Sequence, residues 1–211
     1  MTRQHSASGG EGVPGSGFGD SPPPPFRIET ERLIIRPWAP PDEPGFRQMV
    51  ADPEMMRYIS HGQPWSEERI AEFFARQNRH LAARGHCLGA LIERATGRIA
   101  GLSGLQPMGT TADVEIGWWV MRDRWGRGLG TEAGAGALRH AWETLGLRRV
   151  TAVALPANRA SIHIMEKLGM RYERHATGRE LGLAAPDVEV VVYAIERGAG
   201  ADVAPRSPAG T

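Results

Sequence analysis

The chain has 211 residues, with 25 Lys and Arg against 24 Asp and Glu, so its length admits one ordinary domain with tails and excludes two large ones. A formal charge of +1 lacks the basic excess that non-specific nucleic-acid binding requires. The single cysteine, Cys87, excludes an intrachain disulfide, and no apolar stretch approaches the ~18 residues of a membrane span. With no apolar segment following Met1, the expectation is a soluble, cytoplasmic protein.

Residues 1–25 contain six Gly, five Pro and four Ser and end in Pro22-Pro23-Pro24-Pro25. Such a segment cannot bury enough surface to offset the entropy of ordering it, and 198–211 is similarly poor in large side chains. Both read as disordered tails around a single domain over 26–197.

Within that domain, Phe26 to Arg36 alternates like a first strand and ends at Pro37. Ser66 is placed to cap a helix whose Ile70, Phe73, Phe74 and Leu81 share a face up to Arg84-Gly85. Residues 86–93 and 98–105, joined by Ala95-Thr96-Gly97, form a hairpin, and 112–121 adds a third strand with Val114, Ile116, Trp118 and Val120 on one face. A helix over 131–145, a strand over 149–155, a helix over 158–168 and a strand over 187–195 follow, with a further strand near 171–177. The fold class is α/β: a mixed sheet with helices on its faces, in which the late strand-helix-strand crossovers place neighbouring strands parallel.

The densest signal is Trp125-Gly126-Arg127-Gly128-Leu129-Gly130-Thr131-Glu132-Ala133, between a strand and a helix. Unpaired N–H groups, missing Cβ atoms and the positive end of a helix would together suit a phosphate; the alternative is a tight turn that happens to be glycine-rich. The dinucleotide fingerprint fails because its sixth place is Thr131, and the nucleoside-triphosphate loop fails because Gly130 is followed by Thr-Glu. What remains is a pyrophosphate-bearing ligand whose length runs back along the preceding strand.

Four segments, Thr30 to Arg36, Glu115 to Val120, Gly126 to Ala133 and Asn158 to Met170, occur here in an order and spacing that resemble the GNAT superfamily of acyl-CoA-dependent N-acyltransferases. More narrowly, the chain resembles the group of ribosomal-protein N-terminal acetyltransferases called RimJ and RimL. The resemblance implies a three-layer αβα fold with a centrally splayed sheet and acetyl-CoA as cosubstrate; no metal is expected, because the seven histidines show no pair at i,i+3 or i,i+4 and only one Cys accompanies them. The resemblance also implies that backbone groups of Trp118 and Val120 meet the pantetheine arm. Amides of Gly126, Arg127, Gly128, Leu129, Gly130 and Thr131 would hold the pyrophosphate, and Asn158 would contact the arm where two parallel strands part. Asn158 reads equally as an N-cap. Trp125 stands where many relatives carry Gln or Arg, so Arg122, Arg124 and Arg127 are candidates to replace a lost phosphate contact.

Acetyl transfer to an amine needs a neutral nitrogen, an oxyanion partner and a protonated leaving thiol. An α-amine is neutral roughly 10–20% of the time at pH 7 and a lysine side chain only about once in a few thousand molecules, so an α-amine asks for a weaker base. Glu115 is the candidate base; the alternative is a strand carboxylate paired with an arginine. Many superfamily members protonate the thiol with a Tyr seven residues after the Asn, but Met165 stands there. Ser161 is the candidate partner for the sulfur, or a second cap. The oxyanion would rest on an N–H near Trp119 or Val120, exposed by a β-bulge.

Acceptor choice is expected from Met55, Met56, Tyr58, His61 and Trp65 and from the loop 178–186, although these side chains also suit a core. The resemblance implies an amine acceptor, either a protein N-terminus or a small molecule, and offers a homodimer as one possible assembly; charge and apolar patterning give the expectation of no nucleic-acid or membrane partner. The alternative is a non-catalytic acyl-CoA-binding sensor or scaffold. Cys87, in an apolar strand, reads as a core residue.

Overall fold

The computed structural model describes residues 26–198. The two expected tails, 1–25 and 198–211, therefore lie outside the described residues apart from Gly198. The first strand is a hairpin: β1 (Ile28–Glu29) pairs antiparallel with β2 (Leu33–Arg36), and the Thr30 N–H donates to the Leu33 carbonyl at 3.0 Å across the reversal. The alternation survives the turn, and Ile28, Leu33 and Ile35 are all buried.

The segment before Ser66, which showed no regular element in the sequence, contains α1 (Glu43–Ala51) and α2 (Pro53–Met56). Asp42 holds the approach to α1, accepting both guanidinium arms of Arg36 at 2.6 and 2.9 Å, and Asp52 caps α2 by accepting the Glu54 N–H at 2.9 Å. Pro40, Pro41, Pro44 and Gly45 mask the helical period in the sequence. Gly45 is required by packing, since a Cβ there would lie 2.2 Å from the Ile99 Cγ2.

Helix α3 (Glu67–Arg84) begins at Ser66, which accepts the Arg69 N–H at 3.4 Å, and stops at Gly85 in the left-handed region with φ 72°. It covers one sheet face together with α1, burying Phe46, Met49, Ile70 and Phe73. Strands β3 (Leu88–Glu93), β4 (Ile99–Pro107) and β5 (Val114–Val120) form the expected antiparallel meander. Helix α4 (Leu129–Glu143), strand β6 (Arg149–Ala154), helix α5 (Arg159–Lys167), strand β7 (Arg171–Thr177), the single turn α6 (Gly178–Leu181) and strand β8 (Glu189–Glu196) complete the order. Helices α4 and α5 pack on the face opposite α3, where Val114, Ile116, Trp118 and Val120 point as expected. Cys87 is part of this core, and burial pushes its thiol up to about 12, far from reactivity.

The sheet order is β1-β2-β3-β4-β5-β6-β8-β7. The first late crossover, through α4, makes β5 and β6 parallel neighbours as expected; β8 inserts between β6 and β7 and runs antiparallel to both, which corrects the expectation for the second crossover. The crossover through α5 does return the chain in the same direction, but the buried apolar run Val190 to Ile195 takes the central place and leaves the exposed β7 at the edge. Among the described residues no helix is long and apolar enough to cross a membrane.

Candidate active site

Strands β4 and β5 pair along the whole of β5, from Gly101↔Val120 to Pro107↔Val114, whereas β5 and β6 keep one register position, Glu115↔Thr151. The Thr151 hydroxyl fastens that seam by donating to the Val114 carbonyl at 3.2 Å. Beyond it the two strands part, and a cleft of about 540 Å³ opens between them, lined from both sheet faces. An open α/β sheet accepts ligands at such a place because backbone groups there lack a neighbouring strand.

The direction of those groups follows from their partners. The Gly117 carbonyl accepts from the Ser103 hydroxyl at 2.8 Å and the Met121 N–H donates to the Ala100 carbonyl at 2.8 Å, so odd-numbered residues of β5 face β4. By alternation, the N–H and C=O of Trp118 and Val120 point into the cleft. One is already engaged, because the Trp125 indole N–H donates to the Val120 carbonyl at 2.6 Å. Two expectations change here. The register of β5 contains no bulge, and the Trp119 N–H faces β4; Val120 alone of that pair presents its N–H. The opening comes from the lost β6 partner, not from an irregularity in β5.

The glycine turn closes one end of the cleft. Gly126 and Gly128 have φ of 75° and 74°, a region in which side chains are strained, and Gly128 is the N-cap of α4 without a side-chain cap. The first helical bond of α4 runs from the Glu132 N–H to the Gly128 carbonyl at 3.0 Å, so the N–H groups of Leu129, Gly130 and Thr131 precede it and aim outward at the helix's positive end. Gly130 serves a different purpose: a Cβ there would meet Ile164 Cδ1 at 2.8 Å, so it lets α4 approach α5.

Gly126, Gly128, Leu129, Gly130 and Thr131 line the cleft; Arg127 does not. Its guanidinium is turned back to the Asp123 carbonyl at 3.0 Å, while its own carbonyl accepts from Arg32 at 2.9 Å. Arg122 pairs with Asp52 at 3.0 Å and Arg124 with Asp123 at 2.6 Å, and of the three arginines only Arg124 reaches the cleft wall.

Helix α5 supplies the opposite wall. Asn158 caps it, accepting the Ser161 N–H at 3.1 Å, and both residues line the cleft. The Ser161 hydroxyl makes no hydrogen bond to a described residue, which leaves it available to a ligand; it is not a second cap. Met165, in the place of the absent Tyr, is buried beside it.

Glu115 lies on the cleft floor and accepts from the Gln106 Nε2 at 3.0 Å. Burial pushes its carboxyl above the usual carboxylate range; the Gln106 hydrogen bond and the nearby Arg76 charge oppose that shift without cancelling it. Of the expected acceptor residues, Met55 and Tyr58 line the cleft. Met56 is fully buried, and the Trp65 ring packs against Phe46, Phe73 and Trp119 at 6.1, 5.7 and 5.5 Å, so both are core. His61 and the 178–186 segment lie away from the cleft, whose lining gains Glu54 and Ile59. Gln106 and Thr151 were also missed in the sequence. Counting register back through the meander would have placed Gln106 opposite Glu115, but nothing local marks Thr151.

A family model described as "Acetyltransferase (GNAT) domain" matches residues 32–171. The chain belongs to the GNAT acetyltransferase family. It is an acyl-CoA-dependent acetyltransferase, a class whose members use acetyl-CoA. Among its relatives, the uncharacterized protein YkkB of Bacillus subtilis is 27% identical over 151 residues, covering 70% of this chain and 87% of YkkB. The crystal structure of an acetyltransferase from Agrobacterium tumefaciens superposes with a TM-score of 0.69 at 25% identity, covering 85% of this chain and 99% of the other. Mycobacterium smegmatis RimJ, solved in complex with CoA-disulfide, shares the fold with a TM-score of 0.65 at 21% identity, covering 82% and 88%.

Proposed function

We propose that this GNAT enzyme transfers an acetyl group from acetyl-CoA to a primary amine by direct attack within a ternary complex, the amine belonging to a protein N-terminus or a small molecule. The observation that carries the reading is the single Glu115↔Thr151 pair: it puts a carboxylate at the vertex of a cleft open to both sheet faces. The amides of Gly126 to Thr131 that line the cleft hold the pyrophosphate, with Arg127 contributing shape rather than a charge. The pantetheine arm runs along Trp118 and Val120 and past Asn158, and the Val120 N–H stands near the developing oxyanion.

The amine nitrogen attacks the thioester carbonyl carbon and gives its proton to Glu115. A carboxyl raised toward neutrality is a better match for this task than an ordinary one. The C–S bond then breaks, and the sulfur leaves as a thiolate that accepts a hydrogen bond from the Ser161 hydroxyl before taking a proton from water. An α-amine fits a lone carboxylate base better than a lysine side chain does, because a far larger fraction of it is already neutral.

Thiol release from acetyl-CoA in the presence of a panel of small amines and of peptides beginning with Ala, Ser or Thr tests this. A member of the panel should stimulate release. Glu115→Gln and Ser161→Ala should each lower kcat at least tenfold while the Kd for CoA stays within twofold, magnitudes that are about those of a lost general base or a transition-state hydrogen bond. A double variant with wild-type turnover would refute the assigned roles.

A further inference from the structure

Behind Glu115 runs a chain of hydrogen bonds whose direction is fixed by its first link. The backbone N–H of Leu88 donates to Gln77 Oε1 at 2.9 Å, and because an N–H has no lone pair to offer, the Gln77 oxygen must face it. This turns the Gln77 Nε2 toward Gln106 Oε1, at 3.3 Å, and the same logic turns the Gln106 Nε2 toward Glu115 Oε2, at 3.0 Å. Neither amide can be flipped without setting donor against donor at one link and acceptor against acceptor at another. Gln77 is 1% exposed and shares its helix face with Ile70 and Phe73, where the period of α3 asks for an apolar residue. A buried amide there costs stability unless both of its ends are satisfied, and they are.

We infer that Gln77 and Gln106 are positioning residues for Glu115: they hold Oε2 as a permanent acceptor and leave Oε1 to receive the proton of the attacking amine. The inference rests on reading Glu115 as the base. When the amine forms its bond to the thioester carbon, an N–H bond breaks and an O–H bond forms at Oε1; Oε2 goes on accepting from Gln106, so the relay need not reverse during turnover. Gln77 touches no substrate and acts through Gln106.

The charged and titratable groups around Glu115 come from the other walls of the cleft. Arg76 acts on it from α3, with Glu72 beside Arg76. Glu54 from α2, Tyr58 just beyond it, Arg124 from the turn, and His163 and Lys167 from α5 also line the cleft. None of these makes a hydrogen bond to Glu115; Gln106 does.

The variants are Gln77→Met, which keeps the volume and removes the relay, Gln77→Glu, which inverts it, and Gln106→Met, which removes its last link. In Gln77→Glu the introduced carboxylate accepts from Leu88 and calls the Gln106 NH₂ to itself, which presents the Gln106 oxygen to Glu115 and requires a proton on Oε2. Side-chain carboxyls are titrated by ¹³C NMR in glutamate-labelled protein, with the Glu115 signal identified by its loss in Glu115→Gln, and thermal melts confirm that each variant is folded. The Glu115 midpoint should rise by about one unit or more in Gln77→Glu and Gln106→Met, and by less in Gln77→Met. The acid limb of kcat/KM, measured with the best acceptor from the amine panel, should move by the same amount, about a tenfold loss of rate per unit below the limb. The ionisation of the acceptor is common to all variants and cancels. An unmoved Glu115 midpoint in folded Gln77→Glu and Gln106→Met would overturn the relay and leave the base reading standing. A midpoint that moves without the acid limb would overturn the positioning role. Unchanged kcat/KM in Glu115→Gln would overturn the base reading and this inference with it.

Discussion

Arg32 and Glu132 are 100 residues apart in the chain, yet the Arg32 Nε donates to Glu132 Oε2 at 2.6 Å. The other oxygen of Glu132 accepts from the Thr30 hydroxyl at 2.6 Å and the Arg32 N–H at 2.8 Å, while a second arm of Arg32 holds the Arg127 carbonyl at 2.9 Å. The Thr30-Glu31-Arg32 bend of the first hairpin is thereby bolted to the turn that precedes α4. Burial alone would raise the Glu132 carboxyl, but these hydrogen bonds hold it below the ordinary carboxylate range. Arg32→Ala should loosen the turn without touching the cleft chemistry. Because Arg32 is half exposed, the effect belongs at the low end, about 1 kcal/mol, or roughly a fivefold rise in the Kd for CoA by calorimetry, with kcat little changed.

Gly128 offers a separate test of the turn. Its nearest outside atom to an added Cβ is an Arg32 Nη2 at 3.7 Å, an ordinary contact, so space is not the constraint; φ is. Gly128→Ala should cost about 1–2 kcal/mol and weaken CoA binding as the turn relaxes out of the left-handed region. Gly130→Ala, where the obstacle is the flexible end of Ile164, should lower the melting temperature by packing while retaining more of the CoA affinity.

The cap that Asn158 makes and the ligand contact proposed for it can be separated by substitution. Asn158→Ala removes the cap on the Ser161 N–H and should destabilise the fold by about 1 kcal/mol. Asn158→Asp restores a cap acceptor but removes the amide donor. If the side chain also donates to the pantetheine arm, the Asp variant should melt like wild type and still bind CoA several-fold more weakly.

Stability should fall on mild acidification. Burial is the main cause that holds His80, His86 and His140 below the ordinary histidine range; nearby arginines add to it for His80, the Leu105 hydrogen bond opposes it and Arg84 adds to it for His86, and His86 adds to it for His140. The His86 Nδ1 lies 3.0 Å from the Leu105 carbonyl, which can only accept, so that nitrogen carries the proton; His80 Nδ1 and His140 Nε2 are buried with no hydrogen-bond partner among the described residues. A folded-state value below the unfolded one means that the unfolded chain binds more protons. The stabilisation is thus present above about pH 6.5 and is lost as pH falls from there through the lowered folded values. Urea unfolding at pH 5, 6, 7 and 8 should show this decline, and His140→Leu should flatten it.

The motif segments and the helix boundaries at Ser66, Gly85 and Asn158 were legible because each is a local event: a cap, a left-handed stop, a two-residue alternation. The cleft wall opposite α5 was not. Met55, Met56, Tyr58 and Trp65 are alike in the sequence as bulky side chains before a helix, and only packing sorts Met55 and Tyr58 to the cleft from Met56 and Trp65 in the core. Helix α1 stayed hidden because prolines and a glycine, there to fit against Ile99, break the period that would have announced it.

What the sequence determined by itself is the turn, its glycines and the acid two residues before Gly117, since φ preference and side-chain alternation depend on neighbours along the chain. What the tertiary structure decided is which strand lies beside β5, how soon the two part, and that Gln77, buried on a helix far from the turn, stands behind Glu115. Strand pairing and buried hydrogen bonding join residues that are distant in the chain, and no local pattern of residue types records which partner each will meet.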